Sequence, residues 1–496
     1  MVIDRRFRRL WLGEWRGPIV DAMQTTDWLR RDESIATMRS IGQVVREYRL
    51  AAGVNQGTVA EAMGLTQQFL SQVEKGSRKA TLEHRRDFAR ILGIPPEELG
   101  LAPPARGPVF TDTDPAVAAS RGRWRAQRHW LNSHRSDLAR MATLYYDVDC
   151  RLPRTSLISG DGWVPAAPME LDSIRLRLDE RARTMEVTGA EQQTRPVRPL
   201  RLRDIPFESY SAAVRHLDPP RLFESRPSYR YLGGTIADGS LDFGLAAYFD
   251  KLDVSEALAH ETAAACLAHP ETPDLRCALP FREFVGDPFD AARRAIIPAI
   301  TTLTIRLRRF PEPPSFLLHW RDPERVATAA GVYDVIPAGE FQPSGVALWD
   351  RHNDFSLWRN IVREYSEELL GHPEHDGTRS TPIDYANWPL FQSMGAARTR
   401  GTMSVHLLGF GLDALTLAAT LLTVVVVDND VFDDIFGSAV RFNDEGEIVG
   451  IGDGRGTDGV PFTREAVTRM LDTEPIAAPG AACLALAWQH RHSLIG

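Results

Sequence analysis

QGTVAEAMGLTQQFLSQVEKG, residues Gln56 to Gly76, decides how the first part of this chain is read. Val59, Ala60 and Met63 recur at helical spacing and give one short helix an apolar stripe. Gly64 follows, a residue that takes positive φ at little cost, and marks a tight turn. Thr66 then stands where an N-cap belongs, and Phe69, Leu70 and Val73 form the inward face of a second helix. Gln67, Gln68, Ser71 and Gln72 are left pointing outward, uncharged hydrogen-bonding side chains that suit base edges in a major groove. The window by itself also suits a small helical hairpin inside a larger domain.

The flanks shift the balance. IGQVVREYRLAAG (Ile41 to Gly53) sets Ile41, Val44, Val45 and Tyr48 on one face and ends on a glycine stop. TLEHRRDFARILG (Thr81 to Gly93) repeats that grammar, with a Thr N-cap, Leu82, Phe88, Ile91 and Leu92 inward, and a glycine at the end. Pro96 opens a last short helix reaching Leu99. Five short helices in about sixty residues closely resemble the XRE (lambda-repressor-like) helix-turn-helix family, residue by residue over Arg46 to Leu99. Asn55-Gln56 stands at the family's Ser-Gln, and Glu74-Lys75-Gly76 at its Glu-Asn-Gly after the recognition helix. Arg49 falls where the family usually has an arginine paired with that glutamate, a structural pair. The resemblance implies base readout by Gln67, Gln68, Ser71 and Gln72 behind the Thr66 cap. Gln56, Lys75, Arg78 and Lys79 would hold phosphates.

Composition bounds the rest. The 496 residues exceed one ordinary domain, with 43% apolar and 25% charged residues, as in soluble globular chains. A formal net charge of −8 excludes a bulk polycation, so any nucleic-acid surface is local. Cys150, Cys266, Cys277 and Cys483 lack CxxC spacing and read as free thiols of a cytoplasmic protein. Leu407 to Val427 is greasy enough to suggest a membrane span, but Asp413 interrupts it. A short buried helix followed by a valine-rich strand, Leu422 to Asp428, fits better.

Residues 1–38 are polar and weakly periodic: an ordered extension, a disordered arm or an over-long start, since Met23 and Met38 are also present. Pro103 to Pro108 reads as a linker. Arg121 to Tyr146 is a basic helix, either contacting phosphates or a partner, or turning its arginines to water while Trp130, Leu131 and Leu138 pack. LDSIRLRL (Leu171 to Leu178) is the clearest strand of the region that follows. His260-Glu261 opens like the zinc-protease HExxH helix, but residue 264 is alanine and His269 lies too far on, so an ordinary packed helix is expected.

Further on, Thr302 to Phe310, Pro314 to Asp322 and Gly331 to Phe341 read as three strands leading into a helix, Asp354 to Gly371. Leu357, Trp358, Ile361, Val362, Tyr365 and Leu369 form its packing face. Glu364, Glu367 and Glu368 share an adjoining edge, where carboxylates repel unless a cation such as Mg²⁺ or Mn²⁺ lies between them; a solvated acidic edge is the plainer alternative. Arg363 to Glu368, REYSEE, resembles the heart of the Nudix box, and VIPAGE its strand and glycine loop. The resemblance runs roughly from Ala291 to Gly496. It implies that Glu364, Glu367 and Glu368 hold the cation and that Arg363 orients one glutamate, with Gly339 and Glu340 in the loop. The spacing departs from the family in three places. Gly339 lies twenty-four residues before Arg363 rather than fourteen, Phe355 (beside Asp354) replaces an expected glutamate, and the closing Gly371 comes one residue late. Within this region a turn-rich stretch, Asn443 to Gly459, and a closing helix, Phe462 to Leu471, are also expected.

The expected architecture is multidomain. An extension (1–38) precedes an all-α five-helix helix-turn-helix head (39–101) and a Pro-rich linker (102–112). An intermediate α+β sensor or dimerisation region (113–290) and a Nudix-like α/β/α domain (291–496) follow. The expected function is a transcriptional regulator binding double-stranded DNA as a homodimer and sensing a nucleotide- or diphosphate-like small molecule. The alternative is an active Mg-dependent Nudix-type pyrophosphohydrolase with an autoregulatory DNA-binding head.

Overall fold

Ser40 opens the first helix with a reciprocal capping box: it accepts from Gln43 N, and the Gln43 side chain accepts from Ser40 N at 2.8 Å. α1 (Ile41–Ala51) ends just before Gly53, which takes φ +69°. α2 (Gln56–Ala62) is capped by Asn55, and α3 (Gln67–Glu74) by Thr66. α4 (Leu82–Leu92) is capped by Thr81 and stopped by a left-handed Gly93. Pro96–Leu99 is a 3₁₀ turn, so the five expected helices are four α-helices and one turn too short for an i→i+4 ladder. Val44, Val45, Val59, Ala60, Phe69, Leu70, Val73 and Phe88 form one core. α1 crosses α3 so closely that a Cβ on Gly42 would overlap the Val73 carbonyl oxygen.

This computed structural model describes residues 40–99, 114–268, 279–321, 332–373, 381–437, 446–449 and 459–496, apart from 64, 77, 79, 95, 182–183, 221–222 and 310. The chain divides into two compact units between Thr113 and Asp114. The expectations for residues 1–38, the linker, Gly64, Lys79, Cys277 and most of Asn443 to Gly459 lie outside the described residues.

The second unit is built on an eight-stranded mixed sheet. Its strands are β1 (Leu157–Ile158), β2 (Met169–Glu170), β3 (Pro298–Leu307), β4 (Ser315–Phe316), β5 (Ala338–Glu340), β6 (Met403–Asp413), β7 (Ala419–Asp428) and β8 (Val460–Pro461). The path runs β1-β6-β7-β3-β4-β8, with β2 on β6 and β5 on β3. β7 lies parallel to β3 over ten pairs, from Ala419–Pro298 to Asp428–Leu307, and antiparallel to β6. Its run ATLLTVVVV is buried on both faces, as a central strand requires. Strand alternation gives β3 two distinct faces. Leu303 and Ile305 share a core with Cys483, Leu484 and Ala487, while Thr304 on the opposite face bonds the Tyr365 hydroxyl at 2.7 Å. Helices therefore cover both faces.

Several expectations are corrected here. The stretch expected as the short helix, LDALTLAATLL (412–422), is instead the end of β6, a turn and the start of β7, and Asp413 accepts from Leu415 N and Thr416 N in the turn. The Val-rich strand itself is present as part of β7. No described helix is long and apolar enough to cross a membrane. The boundary expected at residue 290 separates no compact unit, because β1 and β2 from the intermediate region pair with β6. Only Arg175–Leu178 of LDSIRLRL is a strand, after a 3₁₀ turn at Leu171–Ser173. The basic helix begins earlier, at α5 (Pro115–Ser133), and breaks at His134 before α6 (Arg135–Ala142).

Its arginines do not simply face water. Arg121 and Arg125 donate to the carbonyls of Leu200 and Leu217, and Arg128 is buried against Glu256 at 2.9 Å. Glu256 belongs to α7 (Tyr248–Ala268), a largely buried helix. Burial opposes its ionisation, but Arg135 and Arg128 hold its pKa down to about 2. His260 on the same helix bonds Tyr210 and Gln127, and Glu261 accepts from Phe281 N and Arg282 N. The two side chains serve separate partners, and the ordinary packed helix stands.

Candidate functional site

The head places its candidate residues on and around α3. Thr66 accepts from Phe69 N at 3.2 Å, fixing the start of the helix. Phe69, Leu70 and Val73 are buried, Gln67 and Gln68 exposed, and Ser71 and Gln72 half-buried. Lys75 and Arg78 are exposed just beyond the helix, and the Arg78 guanidinium lies 4.4 Å over the Phe69 ring. The inward turn of α3 is locked from behind. Arg49 Nε and Nη2 donate to the two Glu74 carboxylate oxygens at 2.6 and 2.9 Å. Arg49 Nη1 also reaches the Val54 carbonyl at 3.0 Å, tying the end of α1 to the same pair. Gln56 donates one amide hydrogen to Glu74 at 2.9 Å and so joins the lock. Burial opposes ionisation of Glu74, yet Arg49 and Gln56 outweigh it and the carboxyl titrates below its ordinary value.

The acidic helix lies in the second unit. Ser356 caps α8 (Leu357–Glu364), whose backbone continues as a π-helical turn over Tyr365–Leu369. The six residues of the expected packing face are all buried. Glu364 lies against β5 at Gly339, where a Cβ would overlap its carboxyl group, and takes the Asn360 amide at 3.0 Å. Glu368 accepts from Ala338 N at 3.3 Å. Both carboxylates are thus laid along one strand's backbone, and Glu367 is half-buried. Among the described residues no three acidic, His or Cys side chains form a metal-holding group. Glu364 and Glu368 thus meet β5 at adjacent residues, Gly339 and Ala338.

Glu340 has a partner of its own. Alternation along β5 points it away from the face where Gly339 meets Glu364, and it pairs instead with Lys251 of α7. Arg363 is buried and donates to the Gln342 carbonyl at 2.7 Å. Burial disfavours its charge, but Tyr385, Asp354 and the neighbouring glutamates more than offset this and raise its pKa. Phe355 packs against Tyr229, Phe243 and Phe341. Asp354, one residue earlier, is fully buried and accepts from Ser344 N at 2.7 Å and the Tyr385 hydroxyl at 2.8 Å. Asn360, Tyr385 and Lys251 escaped sequence reading. Their partners are set by packing, and no motif marks them.

The helix-turn-helix family HTH_3 matches residues 45–99. Among solved structures, the chain is similar to the restriction-modification controller protein C.AhdI from Aeromonas hydrophila, at 39% identity. The match covers 12% of this chain and 86% of that one, with a TM-score of 0.12. No curated protein matches the chain. Residues 45–99 are a DNA-binding helix-turn-helix domain of the XRE type.

Proposed function

We propose that the chain is a sequence-specific transcriptional regulator that reads double-stranded DNA as a homodimer. Its second unit would sense a small molecule through a degenerate Nudix-like region. The observation that carries the first half is α3: an exposed Gln67–Gln68 edge on a helix held from behind by the buried Arg49–Glu74 pair. Glutamine can bond adenine with both amide atoms, so such an edge supplies base discrimination, while Lys75, Arg78 and Lys79 supply phosphate contacts. The second half rests on the acidic helix. Glu364 and Glu368 border β5 as a glycine-loop strand and carboxylate helix would. Phe355, standing where the family has a further glutamate, favours ligand sensing over hydrolysis. The ligand class, a nucleotide- or diphosphate-like metabolite, is an analogy of fold.

Two measurements separate this reading from a working pyrophosphohydrolase. A nucleoside-diphosphate panel is assayed for metal-dependent turnover, and the same compounds are screened by thermal shift. Stabilisation without turnover, abolished by Glu367→Gln/Glu368→Gln while operator binding persists, is expected. Turnover assigns the enzyme instead, and neither effect leaves the helix a solvated acidic edge.

A further inference from the structure

The stretch between β5 and α8 forms a firmly held ridge. Ser344 N donates to Asp354 at 2.7 Å, the Tyr229 hydroxyl to the Arg351 carbonyl at 3.0 Å, and the Asn353 amide to the Ile383 carbonyl at 3.0 Å. Asp350 N closes a turn on the Ala347 carbonyl, and one helical turn, Asp350–Asn353, follows. Held at so many points, the stretch still presents Val346, Leu348 and Trp349 to water, 71%, 69% and 49% exposed. Three large apolar side chains fixed side by side in solvent mark a surface made to be covered. The rim carries both signs. Exposed His352 lies 3.1 Å from Glu180, while the neighbouring Arg351 has a buried Nε without a hydrogen-bond partner and pairs with no carboxylate among the described residues.

We infer that this ridge is the surface on which two copies of the chain meet about a two-fold axis. The inference rests on the proposed reading of a dimeric regulator and names the contact that reading needs. A two-fold interface sets one patch against itself, so it must bring its own counter-charges. Glu180 of one copy and Arg351 of the other supply them. At a formal net charge of −8 two copies repel at long range, so the attraction has to be short-ranged and apolar. Trp349 at the centre is the residue type most enriched in the energetic centres of interfaces.

Sedimentation of the full chain across a concentration series tests this, with wild type beside Leu348→Ser/Trp349→Ser and Glu180→Arg. The substituted side chains are exposed, and an unchanged circular-dichroism spectrum verifies that each variant folds. Wild type is expected to sediment as a dimer, the double variant to raise the dissociation constant about a hundredfold, and Glu180→Arg about tenfold. A dimer unaffected by both variants overturns the ridge and leaves the regulator intact. A wild type monomeric at every concentration, with operator DNA present, overturns the dimeric reading as well.

Discussion

Replacing Arg49 by Met tests whether the buried ion pair sets the posture of the reading helix. The Glu74 side chain is 3% exposed and that of Arg49 9%. Two charge-assisted bonds join them, and Gln56 adds one amide donor. Arg49→Met removes both ionic bonds and strands a buried carboxylate on that single amide. Breaking a buried pair from one side costs about 3–5 kcal/mol, and the surviving Gln56 bond places this variant near the lower end. About 3 kcal/mol corresponds to a roughly hundredfold shift in the opening equilibrium. Hydrogen exchange on the full chain reads it directly: protection in α1 and α3 falls about a hundredfold, while α7 is unchanged. The double variant Arg49→Met/Glu74→Leu recovers most of the protection, because no charge is left unpaired. The sign with pH follows. Glu74 titrates below its ordinary value, so its stabilisation is complete above about pH 4.3 and fades as pH falls through the lowered pKa. Acid should therefore weaken the wild-type head more than the double variant. A single variant losing less than about fivefold protection, or a double variant as weak as the single, refutes the reasoning.

Gln68→Ala should relax sequence preference by about 1–3 kcal/mol, whereas Lys75→Ala should weaken binding to every sequence and lower the salt slope by about one. Anisotropy titrations over operator variants and salt check both, and equal scaling on all sites would contradict the division of labour. Gly339→Ala drives a methyl group into the Glu364 carboxyl, and overpacking of this kind costs about 1–3 kcal/mol, seen as a lowered melting temperature of the second unit. An unchanged melt would mean that Glu364 steps aside freely. Burial holds the Glu261 pKa up to about 7, against two backbone N–H donors and Arg282 that favour its charge. Since the folded state keeps this proton longer than the unfolded state, its contribution is complete below about pH 4.3 and is lost as pH rises towards 7. Glu261→Gln should flatten that fall in melts run from pH 5 to pH 8.

The head is legible because its punctuation is written in single residues. Thr66 and Thr81 cap, Gly53 and Gly93 stop, and the apolar spacing between them is helical. The pair behind the recognition helix is legible too, through family resemblance, although the third member, Gln56, has its amide turned inward. What escapes is set at long range. Arg128 reads as a solvent-facing arginine until Glu256, 128 residues on, is brought against it, and Lys251 meets Glu340 across 89 residues. The β6–β7 hairpin escapes for a different reason. A strand pair buried on both faces has no period, and its leucines and alanines imitate a helix until Asp413 is seen bending the backbone.

The acidic helix shows how spacing and geometry part company. Relative to the Nudix box, the carboxylate expected at residue 355 stands one place early and the closing glycine one place late. Asp354 can come early because the helical turn Asp350–Asn353 ends there and turns it inward, where Ser344 and Tyr385 bind it and Arg363 feels its charge. Gly371 can come late because a π turn holds one more residue per hydrogen-bonded ring than an α turn. Gly371 still ends the helix, at φ +65°. Both offsets are thus absorbed at the helix ends, and the contact of Glu364 with Gly339 between them is kept. Absorption at the C-terminal end has a consequence the other lacks. The π turn spans Glu367 and Glu368, so it changes their angle to Glu364. Glu368 accepts from Ala338 N, next to the Gly339 that Glu364 meets. On the proposed Nudix-like reading, that one residue would set how well the helix gathers a cation. Deleting Leu370, which returns Gly371 to the family spacing, should convert the turn to α-helix and produce carboxylate-dependent Mn²⁺ binding by calorimetry. If the shortened chain folds and binds no more Mn²⁺ than wild type, the π turn is not what limits cation binding there.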